Sequence, residues 1–142
     1  MSVQNEEIVE SVRKGLAAWE SKDVATAVAL GADIKGGFGW RNYAWRDQPY
    51  RAEMVAGFLD NLEYYGVELN DIHAWSEGEI GIAWGTFTES FKHKGQPPEK
   101  VRVRFTSTHK KDSRGWHDIM YHRDIQPFNE NGKYPIELTQ VK

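Results

Sequence analysis

Two hydrophobic periods divide the chain. Up to about residue 64 the apolar positions recur at helical spacing, and beyond it they alternate. Ile8, Val12, Leu16 and Trp19 fall at i, i+4, i+8 and i+11, with Glu10, Arg13, Lys14 and Glu20 on the opposite side. That stripe predicts an amphipathic helix over 5–21. Asp23 is placed to cap a short second helix over 24–30, and Gly31 stands where that helix should stop. In 35–45, Gly36, Gly37 and Gly39 precede Phe38, Trp40, Tyr43 and Trp45, which reads as a bent strand. Asp47-Gln48-Pro49 then opens a third helix, with Tyr50, Met54, Val55, Phe58, Leu59 and Leu62 as its apolar stripe, ending near residue 64.

The period of two that follows predicts a strand through Val67, Leu69 and 71–75, then long strands over 80–91, 100–110 and 116–126. Short links rich in Gly, Pro, Asp and Ser join them as antiparallel hairpins. Helices gathered in the first half and strands in the second imply an α+β fold. Three helices can cover only one face of a curved sheet, so the expected product is a cone with a mouth, where small ligands go. Residues 1–142 read as a single domain, with 127–142 as a C-terminal tail.

The strand faces suggest what lies inside. Over 101–107, Val101, Val103, Phe105 and Ser107 share one face, with Arg102, Arg104, Thr106 and Thr108 behind. Over 80–88, the apolar set Ile80, Ile82 and Trp84 reads as the inward one and turns polar at Thr86. Thr86 and Ser107 therefore read as a pocket floor, or as strands leaving the core. On the last strand Ile119, Tyr121, Arg123 and Ile125 share a face, and Trp116, Asp118, Met120, His122 and Asp124 share the other. Arg123 reads as aimed into or across the mouth; the alternative is an arginine reaching solvent or paired with a carboxylate such as Glu89.

Composition changes this picture in two ways. The chain has 142 residues, a net charge of −3 and no cysteine, which excludes disulfides, thiolate catalysis and Cys-type zinc sites. Its charge carries no nucleic-acid footprint. No apolar run reaches membrane length, and the acidic N-terminus does not suit a signal peptide, so the expected location is the cytoplasm. Six Trp, six Tyr and six Phe stand out in an otherwise polar chain. Such rings fill a core or line a pocket for a planar molecule. Trp84, Phe105 and Tyr121 are candidates for that lining, joined by Arg41 and Tyr43 if the early strand closes the cone.

Acid–base chemistry has few candidates. His122 is the first choice of imidazole, against a structural role for the same ring. His93, His109 and His117 sit beside turns and read as solvated. His117 and His122 fall on opposite strand faces, so they cannot share a metal ion, and no metal or cofactor motif appears.

The run from Gly81 through Ala83-Trp84-Gly85 to Phe87-Thr88, then Val103-Arg104-Phe105-Thr106-Ser107-Thr108-His109, then Gly115-Trp116 and His122-Arg123-Asp124, resembles the NTF2-like superfamily, in particular its SnoaL-like and kinase-association-domain branch. The resemblance implies the cystatin-like cone, a pocketed architecture that serves isomerases, lyases, cyclases and assembly domains alike. Steroid isomerases of the fold use one Tyr and two Asp, whose matching positions here are near Gly15, Gly39 and Thr106. Kinase association domains line their pocket with three Arg, matched here by Thr86, Ser107 and Arg123. SnoaL-type cyclases use an Asp and a His, for which His122 and Asp124 are the candidates. Those two lie opposite Arg123 unless a bulge intervenes, and otherwise suit an interface. The expectation is a small organic molecule as ligand and a homodimer through the sheet, with a non-catalytic assembly module as the alternative.

Overall fold

The computed structural model describes residues 2–31 and 52–127. Described residues form α1 (Val3–Ser21), α2 (Val24–Leu30) and α3 (Ala52–Asp60), then β1 (Leu62–Glu77), β2 (Ile80–His93), β3 (Glu99–Asp112) and β4 (Gly115–Pro127). The strands make one antiparallel sheet in the order β1-β2-β3-β4. The helices cover one face of that curved sheet. This is the α+β cone the sequence predicts.

The α1–α2 corner follows from local chemistry. The Ser2 hydroxyl accepts from the Asn5 N–H at 3.1 Å and caps α1. Lys22 ends the helix in the left-handed region (φ 60°), and the Asp23 N–H then donates back to the Ala18 carbonyl at 2.8 Å. A non-glycine residue there costs about 1 kcal/mol. An anchor offsets it, because Lys22 Nζ donates to the Leu62 carbonyl at 3.2 Å. Asp23 accepts from both the N–H and the hydroxyl of Thr26, so a two-residue link holds the helices together.

Two expectations need correction here. Helix α3 ends at Asp60 and Leu62 already belongs to β1, so the third helix does not reach residue 64. The inward face of β2 is also not the one with the large apolar residues. Facing residues of an antiparallel pair share a side, and Phe87 opposes Val103 while Gly85 opposes Phe105. Gly81, Ala83, Gly85, Phe87 and Glu89 therefore face the helices, and all are buried. Ile80 and Trp84 face away and are exposed.

The glycines explain the inversion. A Cβ on Gly85 would lie 2.1 Å from the Asp71 carbonyl, where β1 shifts register between Leu69 and Asp71. A Cβ on Gly81 would meet Ile8 Cδ1 at 2.4 Å. The gaps left by missing side chains are filled by a bulge and by α1. The core then runs from Ile8, Val55 and Leu59 to Phe87, Val103 and Phe105.

Strand β4 carries its own irregularity. Thr108 opposes Met120 but His109 opposes Asp118, so Ile119 is an extra residue. Beyond this bulge the alternation holds, and Tyr121, Arg123 and Ile125 face the helices. Before it the parity flips, and Asp118 joins them. The predicted early strand over 35–45, the start of the third helix and the tail beyond 127 lie outside the described residues.

Candidate functional site

The helix-facing side of the sheet holds two polar clusters in an otherwise apolar layer. In the first, Arg123 from β4 reaches along the sheet to Glu89 on β2, with Nη2 at 2.5 Å from Oε1. The Tyr65 hydroxyl on β1 donates to the other carboxylate oxygen. The guanidinium also sits over the Phe87 ring, 5.8 Å from its centre. Burial is deep, with 17% of the Arg123 side chain and 5% of that of Glu89 exposed. Desolvation pulls the Arg123 pKa down, but the charge of Glu89 and the nearby Tyr121 and Tyr65 outweigh it, and the net shift is upward. Burial, then the Glu89 charge, holds the Tyr65 phenol well above its usual range. The group is a neutralised ion pair with a proton-bearing phenol, and its free donor is Arg123 Nε.

The second cluster comes from β3 and β4. The Ser107 hydroxyl lies 2.8 Å from His109 Nε2. Asp118 Oδ1 is 3.0 Å from the same nitrogen, off the direction of a hydrogen bond. Burial, with the neighbouring His117, lowers the His109 pKa to about 4. Burial raises that of Asp118 to about 8. Both shifts run toward the uncharged forms, an imidazole without its extra proton beside a carboxyl that keeps its own. The cluster is not a nucleophile relay, because serine and acid sit on one ring nitrogen, whereas a relay needs them on opposite nitrogens.

Tyr121 stands between the clusters, opposite Ser107. Its ring lies nearly parallel to that of Phe105, centres 6.2 Å apart. Of the residues picked from sequence, Arg123, Tyr121, Ser107 and Phe105 thus share the helix-facing side. The pairing of Arg123 with Glu89, the alternative the sequence left open, is the one observed.

The other candidates are elsewhere. Trp84 and Thr86 lie on the outer face, which corrects their inward placement. Trp84 stacks on His73 with centres 5.6 Å apart. The Thr86 hydroxyl donates to Asp71 and accepts from Arg102 at 3.3 Å. His122 and Asp124 are also outward; His122 is exposed, and Asp124 takes two hydrogen bonds of 2.9 Å from Arg104. The bulge that could have brought them inward lies before them, at Ile119. Arg41 and Tyr43 are outside the described residues. His109 and His117, expected in solvent, are both buried. Sequence reasoning missed Tyr65, His109 and Asp118; the mixed parity of Trp116, Asp118 and Arg123 was the available signal. Among the described residues no three His, Asp or Glu converge as metal ligands, and no helix is long and apolar enough to cross a membrane.

Solved structures with this arrangement decide the fold. An NTF2-like protein of unknown function from Pseudomonas putida KT2440 is 17% identical, covers 94% of each chain and superposes with a TM-score of 0.64. The fold is NTF2-like. The S. rosetta CaMKII hub is 18% identical over 88% of this chain and 98% of that one, with a TM-score of 0.69. A hexachlorocyclohexane dehydrochlorinase, LinA-type3, from Novosphingobium barchaimii LL02 is 9% identical over 92% and 94%, also at 0.69. No protein-family model matches the sequence, and no curated protein matches it. The chain therefore shares its fold with a dehydrochlorinase and with a kinase hub.

Proposed function

We propose that the chain binds a small organic molecule between its helices and the sheet, at the surface made by Arg123, Tyr121, Phe105 and Ser107. The observation that carries this is a charged group with an unsatisfied donor in an apolar interior: Arg123 Nε is buried and has no hydrogen-bond partner among the described residues. Buried polar atoms are almost always satisfied, so an orphan donor marks a place for water or ligand. The lining supports the reading too. Tyr65, Val67, Leu69, Tyr121 and Ile125 on the sheet, and Val12 and Leu16 on α1, pack against the core but stay only partly buried. A likeness in fold to a dehydrochlorinase makes isomerase, lyase or cyclase chemistry the class to assay first.

The test is a thermal-shift screen of hydroxy-acids, polyketides and terpenoids on the whole chain. At least one class should raise Tm, and the shift should vanish in the double variant Arg123→Met/Glu89→Gln, which leaves no lone charge inside. No shift from any class, or an unchanged shift in the double variant, overturns the reading.

A second reading has its own observation. Trp75, Ile80, Trp84 and Met120 are all exposed on the sheet, away from the apolar core. Trp75, Trp84 and Met120 lie on neighbouring rows of its outer face. They support self-association through that face, consistent with the likeness to a hub domain. Sedimentation of wild type against Trp84→Glu checks it: a lighter species is expected for the variant, and equal masses reject it.

A further inference from the structure

The outer face of the sheet carries a charge pattern as well as its apolar residues. Each β2 residue on that face has one neighbour on β1 and one on β3, set by the pairing register. Ile80 stands between Glu77 and Lys110, Thr86 between Asp71 and Arg104, and Thr88 between Glu68 and Arg102. The rows of Ile82 and Trp84 lie between the first of these and the second. Acids therefore line β1, bases line β3, and β2 is apolar along Ile80, Ile82 and Trp84. The acids, Arg104 and Lys110 are exposed, and Arg102 is half-buried. Within one chain the backbones of the two strips are two strand spacings apart, ~9.5 Å.

Two copies of one face pack about a two-fold axis that lies between them. An axis across the strands lays β1 on β1 and β3 on β3, which sets acid on acid and base on base at a cost. An axis along the strands between β2 and β3 lays Ile82 and Trp84 on Thr108 and Thr106, apolar on polar. An axis along β2 lays Ile80, Ile82 and Trp84 on their own copies and β1 on the partner's β3. Every acid then meets a base of the same row: Glu77 the partner's Lys110, Asp71 the partner's Arg104 and Glu68 the partner's Arg102. Each contact occurs twice. Twist turns aligned sheets by ~30°, an offset that long Lys and Arg side chains take up.

Resting on the reading that the chain self-associates through this face, we propose that it forms a two-fold dimer about β2, with the acidic strip of each β1 lying on the basic strip of its partner's β3. The apolar strip supplies most of the contact energy. The charges flank it, fix the orientation and make the dimer salt-sensitive.

Two charge-reversed variants test this by sedimentation at pH 7. Glu68→Lys/Glu77→Lys turns most of the β1 strip basic, and Arg102→Glu/Lys110→Glu turns most of the β3 strip acidic. All four residues lie on the outer face, so thermal unfolding should change little. Each variant alone should self-associate at least tenfold more weakly than wild type, because like strips now meet. An equimolar mixture of the two should regain the dimer, because every strip again meets its opposite. A dimeric wild type whose variants dimerise undiminished, or whose mixture stays as light as each variant alone, overturns the inference; the Trp84→Glu comparison then decides whether self-association through this face survives. A monomeric wild type overturns both. If a variant does not fold, wild type in low and high salt decides. The dimer should weaken severalfold in high salt, and one that holds or tightens rejects the charge-matched arrangement.

Discussion

The two faces of the sheet carry the same chemical pair under opposite conditions. Outside, Arg104 grips Asp124 with two bonds of 2.9 Å, and the side chains are 50% and 43% exposed. Inside, Arg123 meets Glu89 with 17% and 5% exposed. The outer pair exchanges water for a partner at little gain. The inner pair has lost most of its water, so each charge depends on the other. The lesson is that the better-formed ion pair by geometry is the one the fold needs least.

Breaking the inner pair is the largest expected effect. Arg123→Met strands the Glu89 carboxylate in an apolar layer, which costs about 3–5 kcal/mol and lowers Tm by roughly 10 °C or more. Adding Glu89→Gln removes the stranded charge, and thermal unfolding should recover most of the loss. Additive losses in the double variant would mean the two residues are not coupled.

What decides which face is inner comes next in size. Gly85→Ala would press a methyl group against the Asp71 carbonyl, 2.1 Å away and held in the β1 bulge. Backbone cannot swing aside as a side-chain tip can, so a loss of about 1–3 kcal/mol is expected in denaturant unfolding. A neutral result would show that the bulge is free to move.

This position also shows where sequence reading ran out. The α1–α2 corner was legible because its causes are local: a periodic stripe, an Asp cap and a stop. The strands were legible from their period of two and the turns between them. Faces were not, because Gly81 and Gly85 carry no side chain to count, and what fills their places is Ile8 and a distant bulge. Counting apolar residues therefore put Trp84 and Thr86 inside. The shared face of Phe105 with Ser107 and that of Tyr121 with Arg123 were legible, since the alternation is unbroken along each stretch. Asp118 was lost to a single extra residue, Ile119, which nothing in its own chemistry announces.

The second inner cluster gives a smaller effect with a definite pH window. Asp118 is raised to about 8 when folded, so the folded chain keeps a proton that the unfolded chain has lost. The stability it holds is complete below its ordinary pKa and drains away as pH rises through 8. His109 is lowered to about 4, so its contribution runs the other way, rising with pH between 4 and its ordinary value near 6.5. The two oppose each other up to about 6.5. Above that only Asp118 acts, and wild-type stability should fall by up to about 2 kcal/mol between pH 6.5 and 8. Urea midpoints across that range check it. Asp118→Asn should flatten the fall, and a wild-type curve already flat there would mean that Asp118 is ionised when folded.

The smallest effect closes the comparison. Arg104→Ala removes a two-pronged pair, and Asp124 is left with bulk water within reach. The expected loss is about 0.2–1 kcal/mol, shrinking further in salt because the charges are exposed. Salt should not rescue Arg123→Met in the same way, because ions do not enter the layer between helices and sheet. Unfolding both variants in low and high salt separates the faces directly. If Arg104→Ala costs as much as Arg123→Met, the outer face is not solvated in solution, and a second copy packed against Trp75 and Trp84 becomes the physical explanation.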